Sequence, residues 1–270
     1  MTTVRDLLAQ TELPRRESEL LLLSLLGCDR SWIFAHGDAP VAARSEQAFV
    51  EHATRRQAGE PLAYILGERE FWSLPLKVTP EVLIPRPDTE VLVQWAAVLL
   101  NRTPKGGCLD LGTGSGAVAL ALKMEFPGCS MTAVDCSDRA LSVARENGQR
   151  LGLEVEWLLG SWFEPVEERR FDLIVSNPPY VRDDDEHLAM GDLPAEPQLA
   201  LLGGPDGLDC IRCLIAEGQR ALAPGGGLLI EHGWDQGPAV RELMHQSAWQ
   251  SIETRRDLAG HERVTYGCRH

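Results

Sequence analysis

The chain has no apolar run approaching the ~20 residues that cross a bilayer as a helix. Residues 20–26, followed by Gly27 and Cys28, resemble an exported lipoprotein leader only superficially, because Glu17 and Glu19 stand where a cationic segment should lead. They read as a buried helix. Cysteine is sparse and odd in number, seven scattered over 270 residues. That makes no disulfide framework and points to a reduced, cytoplasmic setting. Cys210 and Cys213 lack a second pair and no H-E-x-x-H spacing occurs among the seven histidines, so no metal site is expected. The run at 183–187 reads as solvated charge. Positive charge is short as well: 26 Lys and Arg against 40 Asp and Glu leave a formal net charge of -14. This opposes broad binding of nucleic-acid phosphate, although a local basic patch would escape the argument. Two nucleotide signatures are also missing, the G-x-x-x-x-G-K-[ST] phosphate loop and the nicotinamide G-x-G-x-x-G.

Against these absences stands one informative tetrapeptide, Asn177-Pro178-Pro179-Tyr180, which ends the apolar run 171–176. Phe, Ile and Val in a short run read as a buried strand. Two prolines stop it, because neither donates a backbone hydrogen bond, and the residue before a proline is held extended. The Asn177 side chain and the Pro178 carbonyl thereby become a preorganised pair of acceptors. A planar NH2 group docked there would have both protons gripped and its nitrogen lone pair aimed outward, as transfer of a methyl group requires. The four residues resemble the (N/D)PP(Y/F/W) signature of methyltransferases acting on adenine N6, guanine N2 or glutamine side chains.

A donor site lies upstream. Asp110-Leu111-Gly112-Thr113-Gly114-Ser115-Gly116 follows the apolar Cys108-Leu109 and precedes a helical stretch at 117–122. Alternate glycines let the backbone turn sharply and let a ligand approach with no Cβ in the way. A second strand at 130–134 ends in Asp135, a carboxylate able to accept both hydroxyls of a ribose.

The rest completes an α/β pattern. A surface helix follows Asp135, a third strand is expected at 155–159, and a helix carries Leu208, Ile211, Leu214 and Ile215. Gly225-Gly226-Gly227 is expected to break that helix before a fifth strand at 228–230. After a helix at 240–245, strands at 251–255 and 263–268 flank the turn 257–260, which predicts a hairpin and hence an antiparallel edge. Strands alternating with helices imply a parallel sheet covered on both faces, with ligands gathered at the carboxyl ends of its strands.

The first seventy residues differ. Pro14 precedes a helix at 15–26 and a second helical pattern covers 41–57. No glycine-rich motif occurs there, so residues 1–70 are expected to form a small helical, substrate-docking bundle. Residues 71–84 are expected to be a linker in which 71–78 pairs with 82–84, and residues 85–270 a catalytic domain. Asp88 or Thr89 is expected to cap the helix at 90–100.

The order Tyr64-x-x-Gly67, Phe71-Trp72, Leu83-Ile84-Pro85-Arg86-Pro87-Asp88-Thr89-Glu90, the glycine loop, Asn177-Pro178-Pro179-Tyr180, Glu196-Pro197, Gly203-Gly204-x-Asp206-Gly207-Leu208 and Gly260-His261-Glu262-Arg263 is similar to the release-factor glutamine N(5)-methyltransferases, the PrmC/HemK family. The resemblance implies a class I, Rossmann-like fold, S-adenosylmethionine as donor, S-adenosylhomocysteine as product, and the glutamine of the Gly-Gly-Gln loop of peptide chain release factors as acceptor. It also implies that Gly112, Thr113, Gly114, Ser115 and Gly116 wrap the methionine end of the donor, that Asp135 holds the ribose, and that Trp162 lies along the adenine. Asn177 would bridge donor and acceptor, with Pro178, Pro179 and Tyr180 forming the glutamine slot. Many class I methyltransferases carry an acidic residue after the third strand that takes a hydrogen bond from the adenine amino group; here Gly160-Ser161-Trp162 supplies Ser161 instead. Three other readings compete with this one. A methyltransferase of nucleic-acid amino groups shares the Asn-Pro-Pro-Tyr logic but meets the acidic charge. A nicotinamide oxidoreductase leaves that tetrapeptide unexplained, and a non-catalytic cofactor-binding module leaves two intact motifs idle.

Overall fold

The computed structural model describes residues 1–270 and resolves them into two units. The first comprises Met1–Glu68 together with Ala189–Ala195. It holds α1 (Val4–Ala9), α2 (Arg15–Leu26), α3 (Arg30–Ala35), α4 (Ala43–Gln57) and α5 (Leu62–Leu66). Thr3 and Asp6 form a reciprocal capping box at the start of α1. Pro14 opens α2, and Gly27, at φ 62°, closes it in the left-handed conformation that glycine adopts without a Cβ penalty. The core of this unit is Leu7, Leu21, Leu22, Ile33, Phe49 and their neighbours. Arg56 ties the later segment to it, its Nε 2.7 Å from Glu17 and its Nη1 2.8 Å from Asp192. A stretch that follows the Asn-Pro-Pro-Tyr loop in the chain thus belongs to the helical unit.

The second unit is Arg69–Leu188 with Glu196–His270. Near its start a hairpin pairs β1 (Glu68–Phe71) with β2 (Leu74–Lys77). The chain reverses within the stretch expected to be one arm: Trp72 and Ser73 both take positive φ, 52° and 60°, the backbone of a tight two-residue hairpin turn. Residues 82–84 are not a strand. Then come α6 (Glu90–Leu100), β3 (Gly107–Leu111), α7 (Ala117–Glu125), β4 (Ser130–Asp135), α8 (Asp138–Leu151), β5 (Glu156–Leu159), β6 (Phe171–Ser176), α9 (Asp209–Ala221), β7 (Leu222–Glu231), α10 (Gly237–Gln246), β8 (Gln250–Arg256) and β9 (Glu262–Cys268). The seven-stranded sheet has the order β5-β4-β3-β6-β7-β9-β8. It is parallel from β5 to β7, and β9 pairs antiparallel with both β7 and β8.

Alternation along the strands separates two cores. Cys108, Leu173, Val175 and Leu229 face α6 and α7 with Leu92, Trp95 and Leu120. Leu109, Ile174, Leu228 and Ile230 face α9 and α10 with Leu214, Val240 and Met244. Gly225, Gly226 and Gly227 do not break α9, which has already ended at Ala221; they lie inside β7. A Cβ on Gly226 would stand 3.0 Å from the carbonyl oxygens of Phe171 and Asp172, and one on Gly227 would overlap the Tyr266 ring. The glycines allow close strand packing beside the irregular register of β6 and β7. No helix is long and apolar enough to cross a membrane.

Candidate active site

The sheet reverses its winding at β3. From there the chain moves outward through β4 and β5, then returns to build β6 and β7 on the other side. Ligand crevices form at such a switch point, beyond the carboxyl ends of the strands. The glycine turn, Asp135 and Asn177 occupy that edge on three adjacent strands, because Leu111 pairs with both Val134 and Ser176. Ser176 fixes the junction by donating its hydroxyl to the Leu111 carbonyl at 2.7 Å.

The turn is built by its backbone. Gly112, Gly114 and Gly116 have φ of 72°, 56° and 83°, where a side chain on an L-residue is strained. Gly112 and Thr113 both donate to the Val134 carbonyl, at 2.9 and 3.1 Å. A Cβ on Gly116 would come within 2.9 Å of the Trp157 ring, whereas one on Gly114 would meet nothing within 4 Å. Gly116 is needed for packing, and Gly114 keeps its open side clear. The buried Asp110 carboxylate braces the loop, accepting from the Thr113 hydroxyl at 2.6 Å and from the Ala119 N–H at 3.2 Å. Asp135 accepts the Gly114 N–H on Oδ2 at 2.8 Å and the Ser137 N–H on Oδ1 at 2.9 Å. Each oxygen keeps a further lone pair for a ligand hydroxyl.

Two hollows meet here. One, of about 450 Å³, is lined by Asp135, Gly160, Trp162, Asn177, Pro179 and Leu199 among others. The other, a cleft of about 50 Å³, is lined by Asp110, Thr113, Ser115, Arg86 and Thr89. Leu83, Gly112, Gly114 and Asn177 border both. Trp162 takes a positive φ of 44°, and its ring edge lies 3.6 Å from where a Gly112 Cβ would stand. Of the residues named from sequence, Gly112, Gly114, Asp135, Trp162, Asn177 and Pro179 share the larger hollow, Thr113 and Ser115 line the narrower one, Gly116 packs into the core, and Pro178 and Tyr180 line neither hollow. Glu164, the nearest acid after β5, accepts from the Ser161 N–H at 3.1 Å.

The wall at 82–86 is held by Glu196, whose side chain is fully buried and accepts from the Ile84 N–H at 3.1 Å and from Arg86. The Asn-Pro-Pro-Tyr loop is braced from behind. Gln236 donates to the Tyr180 carbonyl at 3.0 Å, and a Cβ on Gly207 would overlap that same carbonyl. The Tyr180 hydroxyl points inward, 3.4 Å from Glu231, and burial together with that carboxylate pushes its pKa well above the ordinary tyrosine value. It stays protonated and is no general base. Thr89 does not cap α6 with its side chain. Its hydroxyl instead lies 3.2 Å from Glu231 Oε1 and accepts from Asn177 Nδ2 at 3.1 Å. Sequence reasoning missed Glu231, although an acid ending the apolar run 228–230 was a usable signal. A larger hollow of about 630 Å³, around Trp95, Arg255 and Tyr266, lies at the amino-terminal edge of the parallel strands and contains none of these residues.

Burial raises Asp110 and Glu231 to about 7. The folded state therefore keeps protons on them that the unfolded chain has lost, between the ordinary carboxyl value and about 7. Their contribution is favourable in acid and is lost as pH rises through that window. Asp110→Asn, which retains an acceptor oxygen for Thr113 and Ala119, is expected to melt higher than the parent at pH 8. It should also flatten the decline of melting temperature between pH 5 and 7. Scanning calorimetry that finds the same slope in both proteins would contradict the assignment.

Residues 1–67 match the model of the PrmC N-terminal domain, and residues 88–193 match the Methyltransferase small domain. The release factor glutamine methyltransferase of Bordetella pertussis is 47% identical over 268 residues, covering 99% of this chain and 99% of that protein. The protein of the same name from Escherichia coli is 45% identical, covering 96% of this chain and 94% of its own. Among solved structures, a T. thermophilus 16S rRNA N2 G1207 methyltransferase in complex with AdoMet and guanosine is 19% identical. It superposes with a TM-score of 0.55 over 75% of this chain and 50% of that one, a likeness of fold alone.

Proposed function

The chain belongs to the release factor glutamine methyltransferases, and from this we propose that it moves a methyl group from S-adenosylmethionine to the side-chain amide nitrogen of the Gly-Gly-Gln glutamine in peptide chain release factors. The observation that carries the detail is the double exposure of Asn177, which borders both hollows while its Nδ2 is engaged by Thr89. Its Oδ1 is left to accept from an incoming amide.

The residues present fit the donor. A turn stripped of Cβ atoms, a strand-end carboxylate with lone pairs to spare and an aromatic wall beside it suit a zwitterionic tail, a ribose and a purine in that order. The donor supplies an electrophilic methyl group on a positively charged sulfur. Asp135 would hold the ribose hydroxyls, Trp162 would flank the adenine, and the backbone at 112–116 would face the amino-acid end. Asn177 Oδ1 and the Pro178 carbonyl would each accept one N–H of the glutamine amide. That amide is a poor nucleophile because its lone pair is delocalised into the carbonyl. Gripping both protons favours the pyramidal, charge-developing nitrogen of the transition state. Pro179 and the Tyr180 ring would wall the slot. No side chain here needs to remove a proton before attack.

The helical unit carries none of these residues, and we assign it to docking of the intact release factor. It exposes Phe34 almost completely, at 94%. A release factor with glutamate in place of the acceptor glutamine is expected to take no methyl group, because the NH2 nucleophile is gone. A short peptide containing Gly-Gly-Gln should be methylated with a KM at least tenfold above that of the intact factor. Equal KM values would remove the docking role, and transfer to the glutamate variant would remove the acceptor assignment.

A further inference from the structure

Asn177 must offer its oxygen, not its NH2, to a substrate amide, and an asparagine side chain can rotate to offer either. What decides its orientation lies outside the Asn-Pro-Pro-Tyr motif. Glu231 ends β7 next to β6, where Ile230 pairs with Ser176, and is fully buried. Its Oε1 lies 3.2 Å from the Thr89 hydroxyl and 3.4 Å from the Tyr180 hydroxyl, while its Oε2 is buried with no partner. A hydroxyl has one proton to give. Above about pH 7, where Glu231 is ionised, a carboxylate oxygen lies beside Thr89, which gives that proton to Glu231 and can only accept from Asn177. The Asn177 amide must then turn its Nδ2 to Thr89, as observed at 3.1 Å, and its Oδ1 the other way.

We propose that Glu231, acting through the Thr89 hydroxyl, is a positioning residue that sets which end of the Asn177 amide meets the acceptor. The same carboxylate takes the Tyr180 hydroxyl and so anchors the last residue of the Asn-Pro-Pro-Tyr loop by its tip. Both contacts run from β7 and from the turn before α6 to the loop after β6. The arrangement therefore aligns three elements distant in sequence on one acceptor site. The inference rests on the reading of Asn177 as the group that grips the glutamine amide.

The test compares Glu231→Gln, Thr89→Val and Thr89→Ser with the parent at pH 8, where Glu231 is ionised, using a release factor and S-adenosylmethionine. Glutamine at 231 has a similar shape but can donate to Thr89, which lets Thr89 turn its own proton toward Asn177 and reverse the amide. Each of Glu231→Gln and Thr89→Val is expected to lower kcat by on the order of tenfold, the rate equivalent of one hydrogen bond. Donor Kd should change by less than about twofold. The double variant should lose no more than the singles, since both break one chain of contacts. Thr89→Ser, which restores the hydroxyl, should recover most of the rate lost in Thr89→Val. Melting temperature at pH 8 should not fall in Glu231→Gln, because a buried charge with an unpartnered oxygen has been removed. Parent-like kcat in both single variants, or equal losses in Thr89→Ser and Thr89→Val, would overturn the proposal. Failure of the parent protein to methylate the release factor in the same reactions would instead count against the underlying function.

Discussion

Replacing Asn177 with alanine is expected to lower kcat on a release factor by on the order of 10²-fold or more, comparable to losing an oxyanion-hole donor, with donor affinity changed far less. The reason is differential: an interaction strengthened only as the amide nitrogen becomes pyramidal affects kcat rather than ground-state binding. The surrounding structure is built to hold this side chain. Two prolines stiffen the backbone after it, Ser176 locks the strand before it to Leu111, and Thr89 takes its Nδ2. Asn177→Asp is the finer probe. It keeps an acceptor oxygen but gives up the NH2 donated to Thr89, and it sets a second carboxylate against a hydroxyl already committed to Glu231. With a single proton on Thr89 for two anions, the aspartate variant should also be slow. Steady-state kinetics with saturating donor would separate these cases, and an Asn177→Ala enzyme within about threefold of the parent kcat would remove Asn177 from the chemistry.

The second large effect concerns the donor. Asp135→Ala is expected to weaken S-adenosylmethionine binding by roughly 1.5–3 kcal/mol, about 10- to 150-fold, the range for hydrogen bonds to a charged group. Two contributions converge. On the proposed assignment the ribose hydroxyls would lose their acceptors, and the Gly114 and Ser137 N–H groups lose the carboxylate that holds the turn in shape. Burial raises the Asp135 pKa while three backbone N–H groups oppose that shift, so this carboxylate is held by the backbone around it. Titration calorimetry giving an unchanged affinity would take Asp135 out of the site.

The parts of this site that were legible in the sequence are those made by local backbone chemistry. Short β-type runs ended by Gly112, Asp135 or Asn177-Pro178 announced β3, β4 and β6 together with the groups at their tips, because the residues that stop these strands are also the ones that line the hollow. The hairpin of β1 and β2 was hidden, since its turn uses Trp72 and Ser73 in a conformation normally marked by glycine or asparagine. Gly225–Gly227 gave a loop signal, yet they lie inside β7, where Gly226 and Gly227 serve close packing against Phe171 and Tyr266. Thr89 had the position of a helix cap, but its hydroxyl is taken by Glu231 and Asn177, which are 142 and 88 residues away. No local pattern carries such a contact. The membership of Ala189–Ala195 in the helical unit was equally unreadable, because it depends on Arg56 reaching Asp192 across 136 residues.

The central claim is the identity of the atom that receives the methyl group. The direct measurement is a single reaction containing an intact release factor, bulk tRNA and rRNA, and DNA, supplied with isotopically labelled S-adenosylmethionine at moderate salt. Proteolytic peptides and nucleosides are then analysed by mass spectrometry. One labelled methyl group on the side-chain amide of the Gly-Gly-Gln glutamine, with the nucleosides unlabelled, is the expected result. Label on adenine N6 or guanine N2, with none on the release factor, would contradict it.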